Sequence, residues 1–240
     1  MVTTLIIYLN YKKDSVFRRR IKLEKLKLNG ITINCYIAKP AKGKGPGILL
    51  LHAWWGLNEF IKQYCDELAQ EGYFVIAPDL YNEKIANTIA QAEEYVEQVD
   101  GKVVNPILKK TVDFLLAQPD CSSSKIAVLG FSLGASWASW LTNNKPAEVN
   151  KAVLYYGTGQ PDFSNTKAEF LCHFAENDPY EESEWVKTYL GELQKAGVKT
   201  TYYTYPDTYH WFVESDKEEH YNKEASKLAW ERTLEFLRKA

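Results

Sequence analysis

The sequence predicts an α/β protein: a doubly wound, mostly parallel sheet with helices on both faces and an antiparallel hairpin at its N-terminal edge. Three observations carry this. The apolar runs in "GPGILLLHAWWG", "YFVIAPDLY" and "KIAVLGF" are too dense for strands with one wet face. Amphipathic stretches of helical period alternate with them, which favours parallel pairing through right-handed crossovers. Finally, "IKLEKLKLNGITINCYIAKP" alternates apolar and polar residues on both sides of Asn29-Gly30, the pair a type I′ hairpin turn needs.

Taken in order, residues 1 to 20 are apolar and then basic, and are expected to form an extension or an extra strand; one α/β domain is expected over 21 to 240. After the hairpin and the apolar run in "GPGILLLHAWWG", "NEFIKQYCDELAQEG" places Phe60, Ile61, Tyr64, Leu68 and Ala69 on one helical face, with Gly72 at the C-cap. A buried strand follows in "YFVIAPDLY". Helical patterns are then read near 83–99 and 103–117, a strand at 125–131, a helix at 134–143, and strands at 151–157 and 169–175. The remaining elements are a helix at 181–196, a strand at 200–206 and a helix at 216–238. In such sheets ligands bind beyond the carboxyl ends of the strands, so chemistry is sought there.

Composition narrows the class. With 45% hydrophobic residues and 25% charged residues the chain can close a core under a polar surface. A net charge of −2 gives no footprint for nucleic acid, and the basic cluster Arg18, Arg19 and Arg20 reads as a solvated segment. The run "LIIYL" is too short for a signal-peptide core, and no run reaches membrane-spanning length. Cys35, Cys65, Cys121 and Cys172 are widely spaced without a CxxC pair, so reduced structural thiols and a cytoplasmic location are expected. There is no HExxH, Cys/His cluster or Asp-rich loop, so no metal is expected.

The stretch carrying the chemistry is Gly130-Phe131-Ser132-Leu133-Gly134, between an apolar strand and a helix of small residues. A nucleophile elbow needs glycines at these two places because the turn is tight, and the following helix aims its N-terminal amides at the same spot. A serine hydroxyl needs a base, and the base an orienting acid. Of four histidines, His52 and His173 sit in apolar strand patterns and His220 in a charged helical one; His210, in "YPDTYHWF", follows a strand end and can reach Ser132. Asp178 in "FAENDPY" ranks first as the acid, with Glu176 and Asp207 as rivals.

These residues carry a family likeness. The run "LLHAWWGLNEFIKQYCDELAQEGYFVIAPDLY", the elbow "GFSLGA", the acid in "END" and the base in "YHWF" resemble the dienelactone hydrolase family of α/β-hydrolases, over roughly residues 22 to 238. The resemblance implies a hydrolase without a cofactor or lid domain, with Ser132, Asp178 and His210 as nucleophile, acid and base. It further implies an oxyanion hole made by the backbone amides of Leu133 and Trp54. Two departures stand out: family members that hydrolyse dienelactone have a cysteine nucleophile and a glutamate after the first long strand, where this chain has Ser132 and Ala53. They also hold the lactone carboxylate with arginines, yet no arginine occurs between Arg20 and Arg232, and Glu214 stands in the neighbourhood of one of them.

The expected substrate is therefore a small, uncharged or weakly polar ester or lactone, turned over by a monomer or homodimer through an acyl-enzyme on Ser132. Trp54, Trp55, Tyr155, Tyr156, Tyr180, Tyr209, Trp211 and Phe212 are candidates to line its pocket. Two other readings remain open: a hydrolase-fold module that binds a small ligand without turnover, which a serine-directed probe would leave unlabelled, and an acyltransferase or perhydrolase, which product partition in alcohol or peroxide would reveal.

Overall fold

The computed structural model describes residues 21–28, 31–160 and 162–239. The expected extension at 1–20 and the Asn29-Gly30 turn lie outside the described residues. The strands flanking that turn, β1 (Ile21–Leu28) and β2 (Ile31–Ala38), pair antiparallel with Leu28 opposite Ile31. The other strands are β3 (Gly47–Leu51), β4 (Phe74–Pro78), β5 (Ile126–Phe131), β6 (Val149–Tyr155), β7 (Glu169–Asn177) and β8 (Thr200–Tyr209). They form one eight-stranded sheet in the order β1-β2-β4-β3-β5-β6-β7-β8. β2 also meets β4 antiparallel, and every pairing from β4 to β8 is parallel.

The central strands are buried on both sides, and their side chains alternate between two apolar layers. Ile48 and Leu50 of β3 join Phe60, Tyr64 and Leu68 on one face; Leu49 and Leu51 join Leu108, Trp137 and Leu141 on the other. Each fully buried side chain of this size contributes roughly 1.5–3 kcal/mol. Helices α1 (Glu59–Gln70) and α6 (Lys223–Arg238) cover the first face, and α3 (Gly101–Leu116), α4 (Leu133–Asn144) and α5 (Ser183–Lys195) the second. The short α2 (Ile89–Glu97) lies between β4 and α3 in sequence.

The helix ends follow from local chemistry. Asn58 caps α1 by accepting the Ile61 amide at 3.1 Å, and Gly72, just beyond the C-cap, takes φ +98°, which a side chain would resist. At the other end of the fold the buried Lys151 ammonium donates to the carbonyls of Phe236 at 3.0 Å, Leu237 at 3.1 Å and Lys239. A cation there satisfies the open carbonyls and opposes the dipole of α6.

Three elements depart from expectation. The pattern at 83–99 yields a helix only from Ile89, where Thr88 caps it. β8 continues through Pro206 to Tyr209, because an edge strand tolerates proline and a register shift opposite Ala175–Asn177 absorbs the irregularity. The last helix begins at Lys223, not 216, and His220 stands in the turns before it rather than in a charged helix. Among the described residues, no helix is long and apolar enough to cross a membrane.

Candidate active site

The parallel strands end on one rim, and the residues singled out in the sequence gather there. Ser132 directly follows β5, Asp178 follows β7 and His210 follows β8. At Ser132 the backbone has φ 51° and ψ −116°, a conformation that costs a non-glycine residue on the order of 1–3 kcal/mol. The turn is that tight because β5 runs almost directly into α4. A Cβ on Gly130 would lie 2.1 Å from the Gly134 carbonyl oxygen, and one on Gly134 2.3 Å from that of Leu51. Gly157, which no sequence pattern had marked, is a third such position: its Cβ would come within 2.5 Å of the Ser132 carbonyl oxygen.

A chain of hydrogen bonds joins the three side chains. His210 Nε2 lies 2.8 Å from Ser132 Oγ, and His210 Nδ1 lies 2.7 and 2.9 Å from the two carboxylate oxygens of Asp178. Both partners of the second contact are almost fully buried. Asp178 Oδ1 also accepts from the amides of Tyr180 at 2.9 Å and Glu181 at 3.1 Å, so its turn-forming role and its contact with His210 coexist. The rival acids are turned elsewhere. Glu176 accepts the Asp207 amide at 2.9 Å, and Asp207 is exposed at the bulge, with φ 53°.

His52 and His173 are held inside the core by hydrogen bonds of their own. Burial holds His52 below its usual pKa; its Nδ1–H donates to the Ala53 carbonyl at 2.7 Å and its Nε2 accepts the Leu80 amide at 3.2 Å. His173 is pushed down to about 3 by burial, with Arg232 adding to the effect, and lies between Tyr205 and Thr233 hydroxyls.

A cleft of about 220 Å³ opens over Ser132 and His210, bounded by Trp54, Val96, Leu133, Ser136, Tyr180 and Glu181. Of the expected pocket residues, Trp54 and Tyr180 border it. Trp55 and Trp211 do not: both are buried behind Trp54, packed edge-on with ring centroids 5.2 Å apart. Tyr155 is core. Its side of β6 faces α1 and α6, and its hydroxyl pairs with Tyr64 at 2.7 Å and Thr233 at 2.6 Å. Tyr156 and Phe212 are likewise fully buried, and Tyr209 faces a separate groove behind Asp178.

Glu214 also needs correction as a charge beside the pocket. It is buried, it accepts the Tyr156 hydroxyl at 2.8 Å, and burial pushes its carboxyl up to about 8, so at neutral pH it is largely uncharged. The acid that does border the cleft is Glu181, missed in the sequence although it stands only three residues beyond Asp178. Its Oε1 accepts the Thr158 amide at 3.2 Å and its Oε2 the Thr158 hydroxyl at 2.8 Å.

The sheet order, and a serine held at a strained turn after the fifth strand, define the class as an α/β-hydrolase. The comparisons narrow it. The profile of the dienelactone hydrolase family matches residues 33–240, and the chain belongs to that family. Protein usf of Aquifex pyrophilus is 31% identical over 219 residues, covering 88% of this chain and 94% of the relative. Among solved structures, a dienelactone hydrolase-like promiscuous phosphotriesterase from metagenomic libraries superposes with a TM-score of 0.80 at 19% identity, over 90% of this chain and 97% of that one. The dienelactone hydrolase of Anabaena variabilis gives 0.67 at 17% identity, over 90% and 95%. At these identities the two structures speak to the fold.

Proposed function

We propose that the chain is a serine-dependent carboxylic ester hydrolase acting on a small ester or lactone without a carboxylate. The observation that carries the reading is the continuous contact from Ser132 Oγ through His210 to Asp178, at 2.8 and 2.7 Å. His210 Nε2 takes the hydroxyl proton as Ser132 Oγ attacks the ester carbonyl carbon, and the carbonyl electrons move onto oxygen. Leu133, the first residue of α4, has an amide with no partner inside its helix; together with the Trp54 amide it donates to that oxyanion, at about 3 kcal/mol per donor. Collapse expels the alkoxide, which takes the proton from His210. Water, deprotonated by the same nitrogen, then releases the acid and restores Ser132. Asp178 holds the Nδ1–H tautomer and stabilises the imidazolium.

Ala53 is buried where the resembling family has a glutamate, and a serine activated directly by His210 has no need of that carboxylate. The absence of arginine from 21 to 231 counts against an anionic substrate. The free thiols, with Cys35, Cys65 and Cys172 buried, favour a reducing, cytoplasmic setting. The test is labelling by a fluorophosphonate probe alongside turnover of neutral p-nitrophenyl esters. Labelling and turnover in the wild type, both lost in Ser132→Ala with an unchanged melting temperature, are expected. Turnover surviving in Ser132→Ala refutes the role of Ser132.

A further inference from the structure

We infer that the cleft selects an ester bearing an ammonium group, with the Glu181 carboxylate as counter-charge and the rings of Trp54 and Tyr180 as walls. This deepens the hydrolase reading and rests on it for the position of the reacting carbonyl. Three observations support an attraction for cations beyond the exclusion of anions.

The first is the sign of the charge. Among the described residues bordering the cleft there is no lysine or arginine, whereas Glu181 borders it directly. Asp178 and Glu93 act on the Tyr180 hydroxyl from nearby, and Asp178 is the member already paired, with His210. The second is how Glu181 is held. Trp185 Nε1–H donates to the Thr158 hydroxyl oxygen at 2.6 Å, leaving the hydroxyl proton to go to Glu181 Oε2, while the Thr158 amide serves Oε1. Ser136, itself on the cleft, donates to the Thr158 carbonyl at 2.5 Å and fixes that residue further. Both carboxylate oxygens thus accept, an arrangement built for the ionised form, with lone pairs to spare for a ligand. Burial opposes this and holds the carboxyl up at about 7, so a bound cation would complete its ionisation.

The third observation is aromatic. Trp54 and Tyr180 meet edge to face with centroids 5.3 Å apart, and Tyr180 stays 44% exposed while packing against the buried rings of His210 and Trp211. Faces of this kind attract quaternary and primary ammonium groups, most strongly where an anion stands opposite.

The experiment measures binding to Ser132→Ala protein by calorimetry, using three acetate esters of similar shape: choline acetate, its uncharged isostere 3,3-dimethylbutyl acetate, and 4-acetoxybutanoate. The choline ester should bind at least tenfold more tightly than the isostere, and the anion most weakly. In Ser132→Ala/Glu181→Gln the first two should come within about threefold. Equal binding of these two by Ser132→Ala, or a preference surviving Glu181→Gln, overturns the inference. Ser132→Ala/Tyr180→Leu keeps the test open if the glutamine variant fails to fold: the choline ester alone should lose several-fold, and no loss counts against the inference. Wild-type turnover separates the two readings. Binding preference without hydrolysis of any ester sinks the hydrolase and leaves the cation site; hydrolysis with no preference in binding does the reverse.

Discussion

In Asp178→Asn one carboxylate oxygen becomes an amide NH2, and the structure dictates which. Oδ1 accepts the amides of Tyr180 and Glu181 at 2.9 and 3.1 Å, so the asparagine oxygen must stay there. The NH2 then takes the place of Oδ2, 2.7 Å from His210 Nδ1. Nδ1 then faces the NH2 at 2.7 Å and, farther off at 2.9 Å, an oxygen already accepting two amides; the nearer donor favours Nδ1 as the acceptor and moves the imidazole proton to Nε2. That nitrogen now donates to Ser132 Oγ instead of taking its proton. The cost is the general base itself plus the stabilisation of the imidazolium, on the order of 10³–10⁴ in kcat/KM, or about 4–5.5 kcal/mol. Stability should change far less, since both backbone hydrogen bonds persist and only their charge assistance is lost. That amounts to about 1–2 kcal/mol, a fall in Tm of a few degrees. Steady-state hydrolysis of p-nitrophenyl acetate with a parallel thermal melt reads both quantities. A loss below tenfold, or a larger loss in Glu176→Gln, refutes the assignment of Asp178 as the acid.

Two predictions concern the frame. Lys151→Met removes the ammonium that serves three carbonyls at the end of α6, and should destabilise by about 2–4 kcal/mol, a drop in Tm of roughly 5–15 °C, with esterase turnover at 25 °C unchanged. A Tm within 2 °C of wild type, on the order of the shift from 0.5–1 kcal/mol, would refute the capping role. Glu214 has a folded-state pKa raised to about 8 against an ordinary 4.5, so its contribution is fully present below 4.5 and is lost as pH rises to about 8. Glu214→Gln has no such proton to lose; its Tm should gain steadily on the wild type between pH 5 and pH 8, and a gap that stays constant across that range refutes the buried, protonated state.

The elements legible in the sequence were those whose side chains declare two dry faces or one helical stripe. "IAVLGF" could hardly be anything but a central strand, and the glycines around Ser132 marked a turn that backbone contacts of 2.1–2.3 Å leave no room to decorate. Chain position also points to the partners of Ser132, since Asp178 and His210 each fall in a loop beyond an expected strand, 169–175 and 200–206. What stayed illegible was direction. Tyr155 and Tyr156 are neighbours at a strand end, and only the backbone turn just past β6, where Tyr156 takes φ 34°, decides that the first reaches Thr233 and the second Glu214. Trp54 and Trp55 pose the same problem in a loop without periodicity. The start of α6 differs from the expected 216 because "ESDKEEHYNKEAS" has helical composition throughout, and only the cap at Asn222, accepting the Ala225 amide at 3.0 Å, shows where the helix begins. Glu181 is not legible in the sequence because its meaning depends on Thr158, 23 residues earlier on another loop.

The position of β8 at the margin of the sheet has a temporal consequence. Ser132 is mounted on a strand with neighbours on both sides, whereas His210 rides on a ribbon that, among the described residues, is the outermost and is hydrogen-bonded to β7 alone. Fraying at that margin would disarm the serine while the rest of the protein stood intact, so inactivation should run ahead of melting. Under the proposed function the chain order also keeps the nascent polypeptide chemically silent, since Ser132 is synthesised well before the imidazole that would arm it.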